Sequence, residues 1–386
     1  MFPFLERISG GRAEFAERTL SLPAFLEGEI LTDGGPFTFE GREPLREVVA
    51  HLDEILRLGL PERTVSVLKG TQIGMTTIAV GLALYCAAVR RLNVGYFLPD
   101  QDFANRFDDT RVRPAIRSRR LARSLRDGAY KGASPKGLKE FPGRDGSRFL
   151  YILGLRDMGN AISLPLDVLI RDEVDDLPPE NLKWSNDRLD ASRLGLTVNL
   201  AMGRTPGQGI HEMYERGERR VWRVGCAACG RETVLEEEWP GILRAEGAEE
   251  EEKGKKGRLL ACPGCGGSLA RSAGRWAPQS PGAGARSYRV SQLAVGAIRL
   301  ERIAAKWEEA RGPGDQAKFR CSCLGMPDAG EMQPVGAGLL RRLREAAPYA
   351  MAFVPSSGRG EEAEEAGGLR AAAARAGSAP QAGSAG

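Results

Sequence analysis

No stretch of this 386-residue chain is long and apolar enough to cross a bilayer. The longest apolar run, IAVGLALYCAAV at 78–89, falls well short of the ~20 residues a spanning helix needs. The N-terminus, MFPFLERISGGRAEF, carries acidic residues early and has no signal-peptide layout, so a cytoplasmic location without a membrane partner is expected. Aspartate runs out at Asp328. The closing stretch, from Pro355 onward, has no aromatic residue and almost no branched apolar one. Such a segment cannot bury a core, and residues 351–386 are expected to form a low-complexity, disordered tail.

What remains is 42% apolar and 27% charged overall, enough for two or three domains with real cores. The net charge of +4 says little, but basic residues crowd between Arg106 and Lys139. Arg113, Arg117 and Arg120 follow helical spacing, so one face could track phosphates; from charge alone a solvated face is the simpler reading. Seven cysteines point to metal rather than disulfides in this setting. Cys86 lies in an apolar helix and reads as core, and the CSC pair Cys321 and Cys323 reads as structural.

Residues 1–45 read as a helical lead-in. Residues 46–219 alternate apolar strands (TVSVLK, NVGYFLP, RFLYILGL, LDVLIRD, LTVNLAMG) with helical segments, which predicts an α/β domain built on a parallel sheet. At the end of the first strand stands KGTQIGMTT, a glycine-containing turn that runs into an apolar helix. Such a turn can wrap phosphate with its amides, helped by the helix N-terminus. Gly70, Thr71, Gln72 and Gly74 form the turn, and Thr76 stands where a Mg²⁺-binding hydroxyl belongs, followed by Thr77. Met75 occupies the place of the usual lysine; Lys69, at the front of the loop, is long enough to reach the same phosphates. About a hundred residues on, LPLDVLIRDEVDDLP is an apolar strand ending in Asp172-Glu173, a metal-holding and water-activating pair of the Walker B kind. Asp175 and Asp176 blur that signal. A third strand ends in Gly203-Arg204-Thr205-Pro206, where Thr205 could report the γ-phosphate to a mobile segment, or simply close an ordinary turn. Loop, acidic strand end and their order together favour a nucleotide site over a coincidence.

Residues 220–280 hold two CxxCG turns, and 32 residues lie between Cys229 and Cys262. Cys226, Cys229, Cys262 and Cys265 can supply a tetrahedral thiolate site for Zn²⁺, a closed and therefore structural ribbon. The charged insert EGAEEEEKGKKG accounts for the wide spacing. Residues 281–350 are expected to be helical, with LERIAAKWEEA and GAGLLRRLREAAPY as the helices.

With these elements in order, the chain resembles the large terminase subunit of tailed bacteriophages, in the lambda-like branch. The likeness rests on the front-lysine loop, on DEVD after an apolar strand, on RTPGQG before a helix, and on the aromatic strand entering CAACG, RRVWRVGCAACG. GYFLPDQDFANRFDDTRVRPAI adds to it, and the whole spans roughly residues 40–330. It implies a P-loop NTPase fold of the ASCE type followed by a zinc ribbon and a small helical segment. It also implies an ATP-driven motor that translocates double-stranded DNA into a procapsid in the host cytoplasm. Lys69 and Thr76 would then bind ATP phosphates and Mg²⁺, Asp172 would hold the metal, Glu173 would activate water, and Thr205 would couple hydrolysis to movement. The implied partners are DNA, a small terminase subunit, the portal or procapsid, and further copies of the chain.

Two departures stand out. Arg204 replaces a small hydroxyl residue, and the acidic cluster of the family's nuclease has no counterpart after Asp328, so DNA cleavage by this chain is not expected. The rival readings are another P-loop translocase or helicase, and a zinc-ribbon DNA-binding prophage remnant with an idle ATPase.

Overall fold

The computed structural model describes residues 20–330, apart from 33, 62, 118–135, 144 and 246–256. Residues 1–19 of the lead-in, Arg119, Arg120, Arg123, Arg126 and Lys131 of the basic stretch, the expected helix at 336–349 and the tail all lie outside the described residues. So does most of the charged insert between the cysteine pairs.

Ten strands form one sheet: β1 Thr64–Lys69, β2 Val94–Leu98, β3 Leu138–Phe141, β4 Arg148–Gly154, β5 Val168–Asp172, β6 Leu196–Ala201, β7 Arg220–Gly225, β8 Glu232–Val234, β9 Gly274–Ala277 and β10 Arg286–Val290. Their order is β8-β7-β10-β1-β6-β5-β2-β4-β3, with β9 also paired to β7. From β7 across to β4 every neighbouring pair is parallel; β3, β8 and β9 join antiparallel. The molecule is thus a mixed α/β fold around a mainly parallel sheet. Strands buried on both faces need apolar side chains throughout, and β2, β5 and β6 are buried at every position. The five strands expected from the sequence are all present.

Strand β10 was not anticipated. Its sequence, RSYRV, is broken by two arginines, so it shows no continuous apolar run. It nevertheless lies between β7 and β1, paired in register from Arg286↔Val65 to Val290↔Lys69. The chain therefore re-enters the central sheet after the cysteine pairs, beside the strand that feeds the glycine turn.

Helix α1 (Leu22–Glu29) and helix α2 (Glu43–Leu58) bury apolar residues in the same core as the sheet. In α2 these are Leu45, Val48, Val49, Leu52, Ile55 and Leu56, one face of a 3.6-residue period. The helix stops at Gly59, whose φ of 64° closes it with a hydrogen bond to the Ile55 carbonyl. Helix α3 (Met75–Leu84) follows the turn and is buried nearly all round. Helices α4 (Gln101–Phe107), α5 (Pro179–Asn186) and α6 (Gly209–Arg216) follow β2, β5 and β6 in the chain. Beyond the sheet, α7 (Leu300–Glu309) and α8 (Pro313–Phe319) pack Trp307 and Phe319 against Trp239 of the cysteine module.

Candidate active site

The sheet order decides what meets what. Strands β1 and β5 are separated only by β6, so Lys69 at the end of one and Asp172-Glu173 at the end of the other face each other across the β6 terminus. Lys69 Nζ lies 3.3 Å from Glu173 Oε1 and 3.7 Å from Asp172 Oδ1. Thr76, in the first turn of α3, donates its hydroxyl to Asp172 Oδ2 at 3.0 Å. Tyr96, from β2, donates to the same oxygen at 3.0 Å. Asp172 is 1% exposed, and a buried carboxylate is tolerable only with such partners.

The electrostatics follow from burial and pairing. Burial disfavours the charge on Lys69, but Asp172 and Glu173 outweigh it, so the ammonium pKa is raised. Burial raises the Glu173 carboxyl, with Lys69 opposing and Asp172 adding to the rise. Burial also pushes the Tyr96 hydroxyl well up, reinforced by Asp172, which keeps it a donor. Glu173 adopts φ 57°, ψ 49°, a left-handed conformation that costs a side-chain-bearing residue ~1–2 kcal/mol. In this conformation its carboxylate lies beside Lys69 at the strand end.

The turn itself is shaped from both sides. Gly74 has φ 100°, a conformation that favours glycine, and a Cβ there would sit 3.3 Å from the flexible Arg42 side chain. Gln72 is also left-handed, at φ 58°. The Gly70 amide donates to the Val290 carbonyl at 2.8 Å, and the Thr71 amide to the Ser322 carbonyl at 2.7 Å. Among the described residues, the amides of Gln72 and Gly74 make no hydrogen bond to a protein acceptor. The Met75 side chain is only 1% exposed and packs in the core, so it offers the site nothing beyond its backbone. Thr77 is half-buried in the same helical turn.

Thr205 stands apart. It makes no hydrogen bond to Lys69, Asp172 or Glu173 among the described residues, and its carbonyl accepts from Gln208. With Arg171, Asp175, Lys183 and Arg204 it lines a crevice of about 620 Å³. The link to the acidic strand end comes from the two aspartates that blur the sequence signal. Asp175 accepts from the amides of Arg204 (2.9 Å) and Ile210 (2.8 Å), tying the turn before α6 to the segment after β5. Asp176 pairs with the Arg204 guanidinium at 2.7 and 2.6 Å, which gives the unusual arginine a partner. Arg113, one of the three basic residues at helical spacing, pairs with Asp109 at 2.8 Å and approaches Asp108 at 3.7 Å.

The four cysteines converge as their spacing requires. Their sulfurs all lie within 4.8 Å of one another, with Cys226–Cys265 at 3.6 Å and Cys229–Cys262 at 3.7 Å. A tetrahedral zinc–thiolate centre with ~2.3 Å bonds has edges of about 3.8 Å, so the donor set fits that ion. Backbone N–H groups of Cys229 and Ala228 lower the Cys226 thiol to about 7, and those of Cys265 and Gly264 lower Cys262.

Tyr96, Gln292 and the Ser322 carbonyl are contributors that sequence reasoning missed, and of these only Tyr96 carried a signal, a polar tip inside an otherwise apolar strand; Asp175 was visible but its role as an acceptor for two amides was not.

No curated protein matches the sequence. In fold, the chain is similar to the large terminase of bacteriophage HK97, with a TM-score of 0.51 at 10% identity, over 80% of this chain and 55% of that one. The Thermus phage P74-26 large terminase ATPase domain aligns at a TM-score of 0.42 and 13% identity, over 69% of this chain and 89% of that one. The family model for the phage terminase large subunit gpA, ATPase domain, matches residues 60–279, more than half of the sequence, and the chain belongs to that family.

Proposed function

We propose that the chain hydrolyses ATP at the Lys69–Thr76–Asp172–Glu173 cluster and serves as the motor subunit of viral DNA packaging. The carrying observation is the convergence of the Thr76 hydroxyl and the Lys69 ammonium on Asp172, with Glu173 beside them. Gly70, Thr71, Gln72, Gly74, Met75 and Thr77 complete the loop and first helical turn around the phosphates.

Thr76 and Asp172 present adjacent hard oxygen donors, which suits Mg²⁺; bound there, the ion would neutralise charge on the β- and γ-phosphates. Lys69 places its charge against the same phosphates. Glu173, with its raised pKa, accepts a proton from water as the water oxygen attacks the γ-phosphorus and the bond to the bridging oxygen breaks. Tyr96 holds Asp172 in position. Thr205 reports the change through the turn that Asp175 ties to the acidic strand end.

Zn²⁺ at Cys226, Cys229, Cys262 and Cys265 has a structural role. Double-stranded DNA, the small terminase subunit, the portal or procapsid and other copies of the chain are the proposed partners, in the host cytoplasm. No helix among the described residues is long and apolar enough to cross a membrane. The test is ATP turnover by purified protein, alone and then with DNA and procapsid. Turnover stimulated by both supports the motor, and turnover indifferent to both contradicts it.

A further inference from the structure

Thr71 is gripped by residues that follow it by more than two hundred positions. Gln292 Nε2 donates to the Thr71 carbonyl at 2.8 Å and to its hydroxyl oxygen at 3.1 Å. Gln292 is 2% exposed, and its Oε1 is buried with no hydrogen-bond partner among the described residues. A half-satisfied buried amide is a poor core residue, so packing alone does not explain it. The Thr71 carbonyl fixes its orientation, because a carbonyl needs a donor and the flipped amide would oppose two oxygens.

Gln292 is itself held by the four-cysteine module. Arg271 lies between Cys265 and β9, and its guanidinium donates to the carbonyls of Gln292 (2.9 Å), Leu293 (2.6 Å), Val295 (2.8 Å) and Ile298 (2.9 Å). Only a planar fork of donors spans four carbonyls in this way. On the other flank, Glu236 of the module accepts from Ser291 at 3.2 Å and from Arg289 at 3.0 Å. The module therefore grips the turn on both sides of the glutamine that grips the loop.

We propose that Gln292 is a positioning residue for the phosphate-binding loop, acting through Thr71, and that Arg271 couples the four-cysteine module to nucleotide affinity by holding Gln292 in place. This rests on the nucleotide reading of the loop given above. Its consequence is that a change confined to the module, remote from the phosphates, alters nucleotide binding without altering the catalytic carboxylate.

The test uses the full chain and Mg·ADP as probe, with binding measured by calorimetry, and ATP turnover, zinc content and melting temperature measured on the same preparations. Gln292→Met keeps the volume and removes both donors. It should weaken ADP binding about five- to tenfold and raise KM for ATP, with kcat within about twofold. Arg271→Lys keeps the charge and loses the fork; it should weaken binding about threefold at unchanged zinc content. Thr71→Ala should cost less on the Gln292→Met background than alone, because both remove the contact between the Gln292 amide and the Thr71 hydroxyl. Wild-type ADP affinity in both Gln292→Met and Arg271→Lys overturns the proposal, as does full additivity with Thr71→Ala. If Gln292→Met fails to fold, Arg271→Lys decides alone. A wild-type protein that binds no nucleotide overturns the nucleotide reading and this proposal together, whereas normal wild-type binding with indifferent variants overturns this proposal only.

Discussion

The cysteine centre and the phosphate loop are assembled in opposite ways. Each pair of cysteines is presented by a local turn: the Gly230 amide returns to the Cys226 carbonyl and the Gly266 amide to the Cys262 carbonyl, with both glycines at φ 75°. Only the meeting of the two turns is a long-range event. The phosphate loop is local only from Lys69 to Thr77. Its carboxylates come 96 and 104 positions later, and its braces 221 and 251 positions later. A site made of local turns depends on the ligand that joins them, and a site made of distant strand ends depends on the sheet that aligns them.

The largest expected effect tests the local side. Replacing Cys226 and Cys262 with serine should remove one zinc per chain and unfold the module, since structural zinc contributes on the order of 10 kcal/mol to such units. Metal analysis and near-ultraviolet circular dichroism of the Trp239–Trp307–Phe319 cluster would register both. A double variant with an unchanged spectrum would mean that the module does not rely on metal.

Next in size is a probe of the long-range side. Asp175→Ala leaves the amides of Arg204 and Ile210 without their acceptor and should cost about 2 kcal/mol in a urea titration. Asp176→Ala removes only a largely exposed ion pair and should cost under about 1 kcal/mol. Equal losses would show that the acidic turn is not what fastens α6 to the β5 end.

The same contrast explains what the sequence discloses. Strands β1, β2, β5 and β6 are buried at nearly every position and read as mainly apolar runs, and β4, though buried on alternate positions, is as apolar, so all five were legible, and with them the strand-end positions of Lys69, Asp172 and Glu173. The CxxCG turns were legible because spacing alone sets their geometry. Strand β10 was hidden because its Arg289 is spent on Glu236 and Glu237 of the module. Gln292 and Ser322, and the partners of Asp175, were hidden because each is one polar residue whose partner is fixed only by the folded sheet. For Arg113 the helical spacing gave a face but not its partner, which is Asp109.

A smaller effect comes from pH. His51, on α2, is 2% exposed, and neither ring nitrogen has a hydrogen-bond partner among the described residues. Burial, with Arg286 and Arg220 nearby, lowers its pKa to about 3, although Glu54 approaches to 3.8 Å. The unfolded chain therefore binds the extra proton first, and stability should fall as pH drops from 6.5 toward 3 and be flat with respect to this group above 6.5. His51→Leu should reduce the drop in urea midpoint between pH 7 and pH 5; an undiminished drop would place the acid sensitivity elsewhere. Met75→Leu, a volume-conserving change in the core, should cost under about 1.5 kcal/mol and leave ATP turnover unchanged. Lost turnover would mean that the methionine side chain, rather than Lys69, serves the phosphates.

The most direct measurement is ATP turnover by the wild-type chain and by Glu173→Gln, with Mg·ADP binding recorded on the same preparations. The wild type should hydrolyse ATP. Glu173→Gln should bind ADP as tightly and turn over about 10²- to 10⁴-fold more slowly, because only the proton acceptor for the attacking water has been removed. Wild-type turnover in Glu173→Gln would contradict the assignment of this carboxylate, and a wild-type chain that binds ADP without hydrolysing ATP would contradict the proposal that the Lys69–Asp172–Glu173 cluster is a working catalytic site.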